Sequence, residues 1–382
     1  MGYLPIGQRK YYFHTGNNDK PILKKVLFET HHLYYWPNFR PIIDEMILRK
    51  NYDIEVSMPH RGLNIEHTIL NNECIKLSIP FITAGTESER INKIRKKVFD
   101  IVIVGNVGKL NTIVNDKTLA VMVYHGIGLK QSYYNDSTDR INLRAIESLD
   151  RFTELKNKGH KNIILTGFTK LDRLFTLTEA DIRSCKKDIH LDKRKKTILY
   201  APSFYPTSIE KISTQLPLIC QYYNIIVKLH GFSWEQKRYK YQSSLFTKLE
   251  RKHPNINLIP NENFDIIPYY KTADLLVSDI SSTMFEFLPL NKPIIQAECY
   301  TLRLKHRIFP HRFWKRLDRK RLEDIDFTYK IQSARDLFSR VYYALNNVEE
   351  MQNHRKKASE FYLYKNDGKA SSRLLNALEN YN

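Results

Sequence analysis

The chain has 382 residues, of which 42% are hydrophobic and 12% aromatic, and 61 Lys and Arg against 41 Asp and Glu give a formal net charge of +20. This length exceeds what one hydrophobic core usually supports, so it predicts two domains, and the composition excludes a globally disordered chain. The positive charge favours polyanionic partners and leaves nucleic acid, anionic lipid, nucleotide sugars and phosphate-rich polymers open.

Short apolar segments alternate with helical patterns through the first half of the chain. After twenty polar residues that we expect to be loose, residues 25–30 (KVLFET) are predicted as a buried strand, and residues 39–49 have the spacing of a helix. The other strands predicted in this half are residues 52–58, 101–104, 119–124 and 163–165. Such alternation is typical of an α/β domain with a parallel sheet.

The second half repeats this pattern after a charged connector at residues 193–196. Its predicted strands are residues 197–200, 224–229, 256–259, 274–278 and 294–295. We therefore predict an α/β fold of two Rossmann-type domains whose parallel sheets face an interdomain cleft. The predicted divisions are a loose segment at 1–20, an N-terminal domain at 21–175, a C-terminal domain at 176–362 and a C-terminal helix at 363–382.

The first segment with chemical potential is HGIGLK, which directly follows the predicted strand 119–124. His125 lies where α/β folds place ligands, Gly126 and Gly128 allow a backbone to approach a ligand, and Lys130 adds a positive charge. A neutral imidazole can take a proton from a hydroxyl near neutral pH. The alternative is structural, with the glycines forming a turn and His125 capping a helix.

Two further segments end strands of the second half. His230 follows the strand 224–229 and could contact a phosphate oxygen or a leaving group, although a single strand-end histidine is more often structural. Ser281 and Ser282 lie where a helix should begin, and hydroxyls with unpaired N–H groups at a helix start bind phosphate. Ordinary N-capping by serine is the alternative. The loop at 201–204 (APSF) is predicted to be a plain connection.

Several motifs and targeting signals are absent from the sequence. There is no GxxxxGK[ST] loop, GxSxG elbow, HExxH helix or cluster of Asp with metal-ligand spacing, so we predict no metal and no bound cofactor. Four scattered cysteines fit a reducing compartment. With no signal peptide and no apolar run of about 20 residues, we expect a cytoplasmic protein, peripheral on the inner face of the membrane.

The densest basic segment is HRIFPHRFWKRLDRKR at residues 306–321, in which Phe309, Phe313 and Trp314 stand among Arg and Lys. A basic aromatic segment of this kind can lie at an anionic bilayer interface. The alternative is a solvated segment whose aromatic side chains pack inward.

Six segments, taken in order, resemble the successive blocks of the CDP-glycerol glycerophosphotransferases, the polyol-phosphate transferases of teichoic acid type. They are HGIGLK (125–130), TGFTKLDRLF (166–175), ILYAPSF (198–204), KLHGF (228–232), residues 261–295 and NDGKAS (366–371). The resemblance implies a GT-B-type fold, with the acceptor in the N-terminal domain and the CDP-linked donor in the C-terminal domain.

The resemblance also implies roles for individual residues. His125 would be the general base that activates the acceptor hydroxyl, and His230 would contact the donor phosphates. The remaining residues in matching blocks are Ser281, Ser282, Lys130 and Lys170 for the donor phosphates, and Asn261 and Glu262 near the cytidine. The family commonly has Thr-Pro where Ile127-Gly128 stands here, Pro at Gly231 and Tyr at Ile280, which bears on the donor polyol more than on the reaction type.

The implied function is transfer of a polyol phosphate from CDP-glycerol or CDP-ribitol to a hydroxyl of a surface polysaccharide or lipid-linked precursor, with release of CMP. The chain length mildly favours a priming or single-addition enzyme. A GT-B glycosyltransferase that uses a nucleotide sugar would share the fold and the phosphate site. A basic nucleic-acid-binding protein is the alternative of another class, but no nucleic-acid module is visible and the charge is dispersed, so we expect no nucleic acid partner.

Overall fold

A computed structural model describes residues 23–60, 65–129, 139–187, 189–315 and 317–381, with the side chains of residues 312 and 313 excepted. Its strands are β1 Lys24–Glu29, β2 Tyr52–Ser57, β3 Phe81–Ile82, β4 Ile101–Val104, β5 Leu119–Val123, β6 Leu143–Ile146, β7 Ile163–Leu165, β8 Thr197–Tyr200, β9 Asn224–Val227, β10 Ile256–Leu258, β11 Leu275–Ser278, β12 Ile294–Ala297 and β13 Tyr329–Ile331.

The described helices are mostly short, and several are single turns. They are α1 Trp36–Arg49, α2 Ile65–Lys76, α3 Glu87–Lys97, α4 Leu110–Ile113, α5 Leu149–Asn157, α6 Arg173–Thr176, α7 Glu179–Lys186, α8 Ile209–Ile212, α9 Leu216–Ile219, α10 Phe232–Glu235, α11 Lys240–Lys252, α12 Ile267–Thr272, α13 Thr283–Glu286, α14 Leu304–Ile308, α15 Pro310–Trp314, α16 Arg319–Glu323, α17 Leu337–Asn346, α18 Gln352–Tyr362 and α19 Ala370–Glu379.

The chain divides into two compact units. Unit 1 comprises Met1–His125, Asp136–Asp172 and Tyr364–Asn382, and unit 2 comprises Gly126–Asn135 and Arg173–Leu363. Each unit is built on one parallel sheet, which confirms the predicted α/β class with two parallel sheets. The predicted loose segment at residues 1–20 lies outside the described residues.

The sheet of unit 1 has the strand order β3-β2-β1-β4-β5-β6-β7, with every described pair parallel. The side chains of β4 (IVIV) are all buried, as expected for a central strand that helices cover on both faces. The strand order changes direction between β1 and β4, since β2 and β3 lie on one side of β1 and β4 to β7 lie on the other. The carboxyl ends of β1 and β4 therefore form the topological switch point, where such sheets bind ligands.

The sheet of unit 2 has the order β10-β9-β8-β11-β12-β13, again with parallel pairs, and its switch point lies between β8 and β11. Its core is formed by buried aliphatic side chains of the strands together with α8, α11 and α17. The strands that flank the switch point are β8 (TILY) and β11 (LLVS), and both are fully buried.

The C-terminal segment of the chain completes unit 1. Asp172 accepts hydrogen bonds from the backbone N–H groups of Ala370 (2.9 Å) and Ser371 (2.7 Å), so its carboxylate caps α19. Along the same helix, Glu379 forms an ion pair with Arg49 of α1 at 2.8 Å. These contacts give the TGFTKLDRLF and NDGKAS blocks a shared structural role.

Gly167 in the first of these blocks is a position that no other residue fits well. Its φ is +90°, and a Cβ added there would lie 2.6 Å from the carbonyl oxygen of Tyr364. Gly159 has almost the same φ, +89°, but a Cβ there would meet no atom within 4 Å.

We expect Gly167→Ala to lower the free energy of unfolding of unit 1 by about 1–3 kcal/mol more than Gly159→Ala does, because only the former adds a backbone clash to the strain of a positive φ. Urea unfolding of the two variants measures this difference directly. Equal losses in both variants would show that the chain at Tyr364 moves away at no cost.

Candidate functional site

In unit 1, His125 follows β5 and Tyr124 and lies against two tyrosine rings. Its ring centroid is 4.5 Å from that of Tyr35, edge to face, and 4.9 Å from that of Tyr34. Both tyrosines belong to the segment that leaves β1, so the end of β5 and the end of β1 meet at the switch-point side of the sheet. His125 itself is half-buried. The imidazole is therefore held by aromatic packing and keeps partial access to solvent.

Two glycines after β4 make room for this aromatic cluster. A Cβ at Gly105 would lie 1.9 Å from Cδ1 of Tyr35, and a Cβ at Gly108, where φ is +47°, would lie 2.0 Å from Nε2 of His31. The backbone after β4 thus passes directly against the rings of Tyr35 and His31. Neither glycine forms part of a motif recognisable in the sequence.

A buried carboxylate holds the same segment from the other side. Glu66 of α2 is only 3% exposed, and it accepts a hydrogen bond from the N–H of Leu33 at 3.1 Å. Its second oxygen lies 3.1 Å from Nδ1 of His32, and the ring of His32 stacks on Tyr34 at 5.2 Å. Through His32, Glu66 therefore helps to position Tyr34, one of the two tyrosines that contact His125. The sequence pattern did not single out Glu66.

Of the two predicted lysines, only Lys170 is among the described residues. Lys130 lies outside the described residues. Lys170 is half-buried in the 3₁₀ turn Thr169–Asp172 of unit 1, whereas the predicted donor-binding residues His230, Ser281 and Ser282 belong to unit 2. Gly126 and Gly128 are buried and mark the point at which the chain leaves unit 1.

In unit 2, the geometry around His230 fixes the position of its proton. The N–H of Phe232 donates to Nδ1 at 3.1 Å, so Nδ1 acts as an acceptor and the neutral ring carries its proton on Nε2. The ring packs against Phe204 with centroids 4.8 Å apart. His230 is therefore arranged to donate a hydrogen bond, which suits contact with an anionic oxygen.

Asp279, directly after β11, is a fully buried carboxylate that joins the two sides of the switch point. It accepts hydrogen bonds from the N–H of Ser203 at 2.7 Å and from the N–H of Ser208 at 2.9 Å, and the hydroxyl of Ser208 donates at 3.0 Å. Ser203 and Ser208 both lie in the loop that leaves β8. Asp279 thus ties this loop to the turn that carries Ser281 and Ser282.

The serine pair itself is half-buried, and neither hydroxyl is an ordinary helix cap. Ser282 occupies the N-cap position of α13, yet its hydroxyl donates to Glu286 at 2.9 Å and makes no capping bond. Ser281 Oγ accepts from the N–H of Thr283 at 3.3 Å and from its hydroxyl at 3.0 Å. Because α13 has only four residues, local donors contribute more than a macrodipole to any phosphate binding here.

The loop after β8 has a larger role than the plain connection predicted for it. Phe204 contacts the His230 ring, while its neighbour Ser203 donates to Asp279, so residues 201–204 link the ends of β9 and β11. On the other flank, Asn261 is 9% exposed and donates through Nδ2 to Glu235 of α10 at 2.9 Å, whereas Glu262 is exposed. The predicted donor-binding residues that belong to unit 2 therefore lie at the carboxyl edge of this sheet.

No group of three or more His, Cys, Asp and Glu within the described ranges is arranged to hold a metal ion. In that same part of the chain, no helix has the length and hydropathy needed to cross a bilayer.

The two parallel sheets, with histidines and hydroxyls at their carboxyl edges, define a class of protein with the fold of GT-B-type enzymes. The family model described as CDP-Glycerol:Poly(glycerophosphate) glycerophosphotransferase matches residues 121–380. The chain belongs to this family, which confirms the resemblance drawn from the sequence motifs.

Curated relatives agree with this assignment. The chain is 28% identical over 229 residues to the teichoic acid glycerol-phosphate primase of Bacillus subtilis, an alignment that covers 54% of this chain and 56% of the relative. It is also 28% identical over 155 residues to the teichoic acid poly(glycerol phosphate) polymerase of Bacillus spizizenii, with coverage of 35% and 34%. The alignments thus span little more than half of the first relative and about a third of the second.

Solved structures share the fold at low sequence identity. The wall teichoic acid polymerase TagF matches with a TM-score of 0.67 and 15% identity, over 94% of this chain and 89% of that one. The UDP-GlcNAc 2-epimerase of Neisseria meningitidis matches with a TM-score of 0.59 and 14% identity, over 93% and 100% of the two chains. These similarities establish the architecture.

The environment of Asp279 gives a testable pH dependence. Burial raises the pKa of this carboxyl from 3.8 to about 6, although hydrogen bonds from Ser203 and Ser208 oppose the shift. The folded state then holds the proton more tightly than the unfolded chain, so the contribution of Asp279 to the free energy of unfolding falls as the pH rises from about 4 to about 6, by on the order of 3 kcal/mol.

We expect the stability of the native protein relative to Asp279→Asn to decrease across that pH range, because the variant has no proton to lose at this position. Denaturant unfolding at pH 4, 5, 6 and 7 measures the difference. Asp336→Asn, at an exposed aspartate of the same unit, is the matched control. A difference that grows with pH would mean that the hydrogen bonds to the charged carboxylate outweigh its burial.

Proposed function

We propose that this protein transfers glycerol phosphate, or another polyol phosphate, from a CDP-linked donor to a hydroxyl of a cell-surface polysaccharide or lipid-linked precursor. The observation that carries the proposal is the family match from residue 121 to residue 380, which includes His125, His230 and both serines. The names of the primase and polymerase relatives both refer to glycerol phosphate in teichoic acid. They therefore support CDP-glycerol as the donor ahead of CDP-ribitol. A TagF variant has also been soaked with CDPG.

The proposed reaction forms one P–O bond and breaks another. The acceptor hydroxyl loses its proton to the His125 imidazole and attacks the β-phosphorus of the donor. The bond between that phosphorus and the bridging oxygen breaks, its electron pair remains on the departing phosphate, and CMP is released. Contact with Tyr34 and Tyr35 keeps the His125 ring in one orientation, which general-base catalysis requires.

The proposal assigns donor binding to unit 2. His230, with its proton on Nε2, would donate to a donor phosphate, and Ser281 would supply a hydroxyl donor. Ser282 would do the same once its hydroxyl turns from Glu286 to the ligand. These contacts would offset the negative charge that builds up on the leaving CMP. Asn261, anchored to Glu235, and the exposed Glu262 would approach the cytidine. Lys130 and Lys170 are proposed as further phosphate contacts.

We further propose that the protein works at the cytoplasmic face of an anionic membrane through α14 and α15. Several apolar side chains of these helices and their connection are solvent-exposed, namely Leu304 (69%), Ile308 (59%), Phe309 (44%) and Trp314 (36%). Lys305, Arg307 and Lys315 lie among them and are exposed as well. This arrangement favours the interfacial alternative over the inward-packed one, because exposed apolar groups flanked by cations suit the boundary between lipid headgroups and acyl chains.

We expect His125→Ala to lower the rate of acceptor-dependent CMP release by about 10²–10⁴-fold, because the acceptor hydroxyl loses its general base. The assay supplies CDP-glycerol or CDP-ribitol with and without lipid-linked sugar acceptors, and it also identifies the donor. His354→Ala, at an exposed histidine, is the matched control.

A near-normal rate for folded His125→Ala would remove the proposed base. If the native protein released CMP from neither donor with any acceptor, while a UDP-sugar panel gave transfer, the function would instead be that of a nucleotide-sugar glycosyltransferase.

Replacing Ile308 and Trp314 together by serine should weaken binding to anionic vesicles by at least about tenfold, because two apolar side chains no longer enter the interface. Binding of the native protein should also fall as salt rises. Vesicle co-sedimentation measures both effects. Leu48→Ser, at a leucine of α1 that is 75% exposed, should leave binding unchanged. Equal losses in both variants would remove the role of α14 and α15.

A further inference from the structure

Unit 2 contains a cavity of about 500 Å³ beside the loop that leaves β8. This volume lies within the range of small-molecule sites. The cavity is lined by three aromatic rings, two arginines and a carboxylate, contributed by Tyr205, Tyr239, Tyr241, Arg238, Arg303 and Glu210. None of these residues was singled out in the sequence, and none belongs to the family motifs assigned to the donor.

The guanidinium of Arg303 is held in place by aromatic stacking. Its central carbon lies 4.0 Å from the ring centroid of Tyr205 and 5.2 Å from that of Tyr239. The N–H groups of a guanidinium lie in its own plane, so stacking on the tyrosine faces directs them past the ring edges, where an anion can accept from them. Arg238 and Lys305 add two exposed positive charges to the same lining, against the single negative charge of Glu210. The cavity therefore favours an anionic ligand.

The carboxylate of Glu210 adds a requirement for hydrogen-bond donors. One of its oxygens accepts from the hydroxyl of Tyr241, while Oε2 is shielded from solvent and has no partner among the described residues. Thr207 and Thr301 contribute hydroxyls to the same lining. The threonine hydroxyls and the exposed oxygen of Glu210, which accepts from Tyr241, suit a ligand that carries its own hydroxyl groups, as a polyol or a sugar does.

The cavity is one aromatic ring away from the proposed donor site. Phe204 contacts His230 at 4.8 Å on one side and Tyr239 at 5.1 Å on the other. Thr207 in the cavity wall also donates to Asp279 at 3.4 Å, so the carboxylate that positions the serine turn reaches this wall too. A ligand in the cavity would therefore lie against the same loop that borders the donor phosphates.

From this geometry we propose that the cavity is a second binding site for a phosphorylated polyol, with the phosphate at Arg303 and the polyol hydroxyls at Glu210. The choice of a polyol phosphate among phosphorylated polyhydroxy compounds rests on the proposed function. The same group occurs in a growing poly(polyol phosphate) chain and in the headgroup of phosphatidylglycerol, and the test separates these two sources.

The test titrates sn-glycerol 3-phosphate into the full chain saturated with CDP-glycerol, with binding followed by ligand-observed NMR. Arg303→Gln and Glu210→Gln should each weaken binding by about 10-fold to 100-fold, because each removes a charge-assisted contact. Arg251→Gln, at an exposed arginine of α11, should bind normally. CDP-glycerol affinity should be unchanged in all three variants, whereas replacing Ser281 and Ser282 by alanine should weaken it.

A parallel experiment measures binding of the same variants to vesicles of phosphatidylglycerol and of phosphatidylserine at equal charge. Selective loss of phosphatidylglycerol binding in Arg303→Gln would identify a lipid headgroup as the ligand. Loss of free glycerol phosphate binding would identify a soluble or polymer-borne polyol phosphate.

The proposal is overturned if Arg303→Gln and Glu210→Gln, both folded by thermal unfolding, bind glycerol phosphate and phosphatidylglycerol as the native protein does. Failure of the proposed function gives a different result, since the native protein would then not bind CDP-glycerol at all.

Discussion

The buried carboxylate of Asp279 is the constraint on which the organisation of unit 2 depends. A charge removed from water must be matched by hydrogen-bond donors, and the donors that match this one come from the loop after β8, about 75 residues earlier in the chain. Satisfying one carboxylate therefore fixes the course of that loop. Phe204, the serine turn and the wall of the cavity beside this loop all take their positions from it.

The two units use one topology to present different chemistry. In unit 1 the switch point holds aromatic rings and His125, with two glycines giving the backbone its close approach. In unit 2 the corresponding position holds hydroxyls, amides and a histidine whose neutral form donates through Nε2. Under the proposed function, His125 would accept the proton of the attacking hydroxyl, and the groups of unit 2 would donate hydrogen bonds to the donor phosphates.

Central strands were predictable because their burial on both faces leaves a continuous apolar run, as in IVIV of β4 and TILY of β8. The strands that the sequence did not indicate break this pattern. β3 has only two residues, β6 contains the buried Arg144, and β13 carries an exposed Lys330 between two buried residues. Arg144 is accommodated in part through a contact of its guanidinium with the hydroxyl of Tyr124 at 3.2 Å.

The residues of the candidate site were likewise predictable only where a local sequence pattern marks them. The sequence could single out His125, His230 and the serine pair as candidates because they belong to local motifs at strand ends. Asp279 appeared in the sequence only as part of a longer block, and no pattern predicted a role for Glu66 or Gly105. Their importance arises from contacts between distant segments. Such pairings depend on the folded topology and leave no short-range pattern in a single sequence.

The capping of α19 by Asp172 has a consequence for the order of events during translation. The sheet of unit 1 is synthesised before unit 2, whereas the helix that packs on α1 is synthesised after it, with about 190 residues of unit 2 between them. At ordinary ribosomal speeds this separation is about 10–40 s, during which unit 2 can form while unit 1 lacks one of its helices. Until α19 is made, the face of α1 that packs against it therefore stays exposed to solvent.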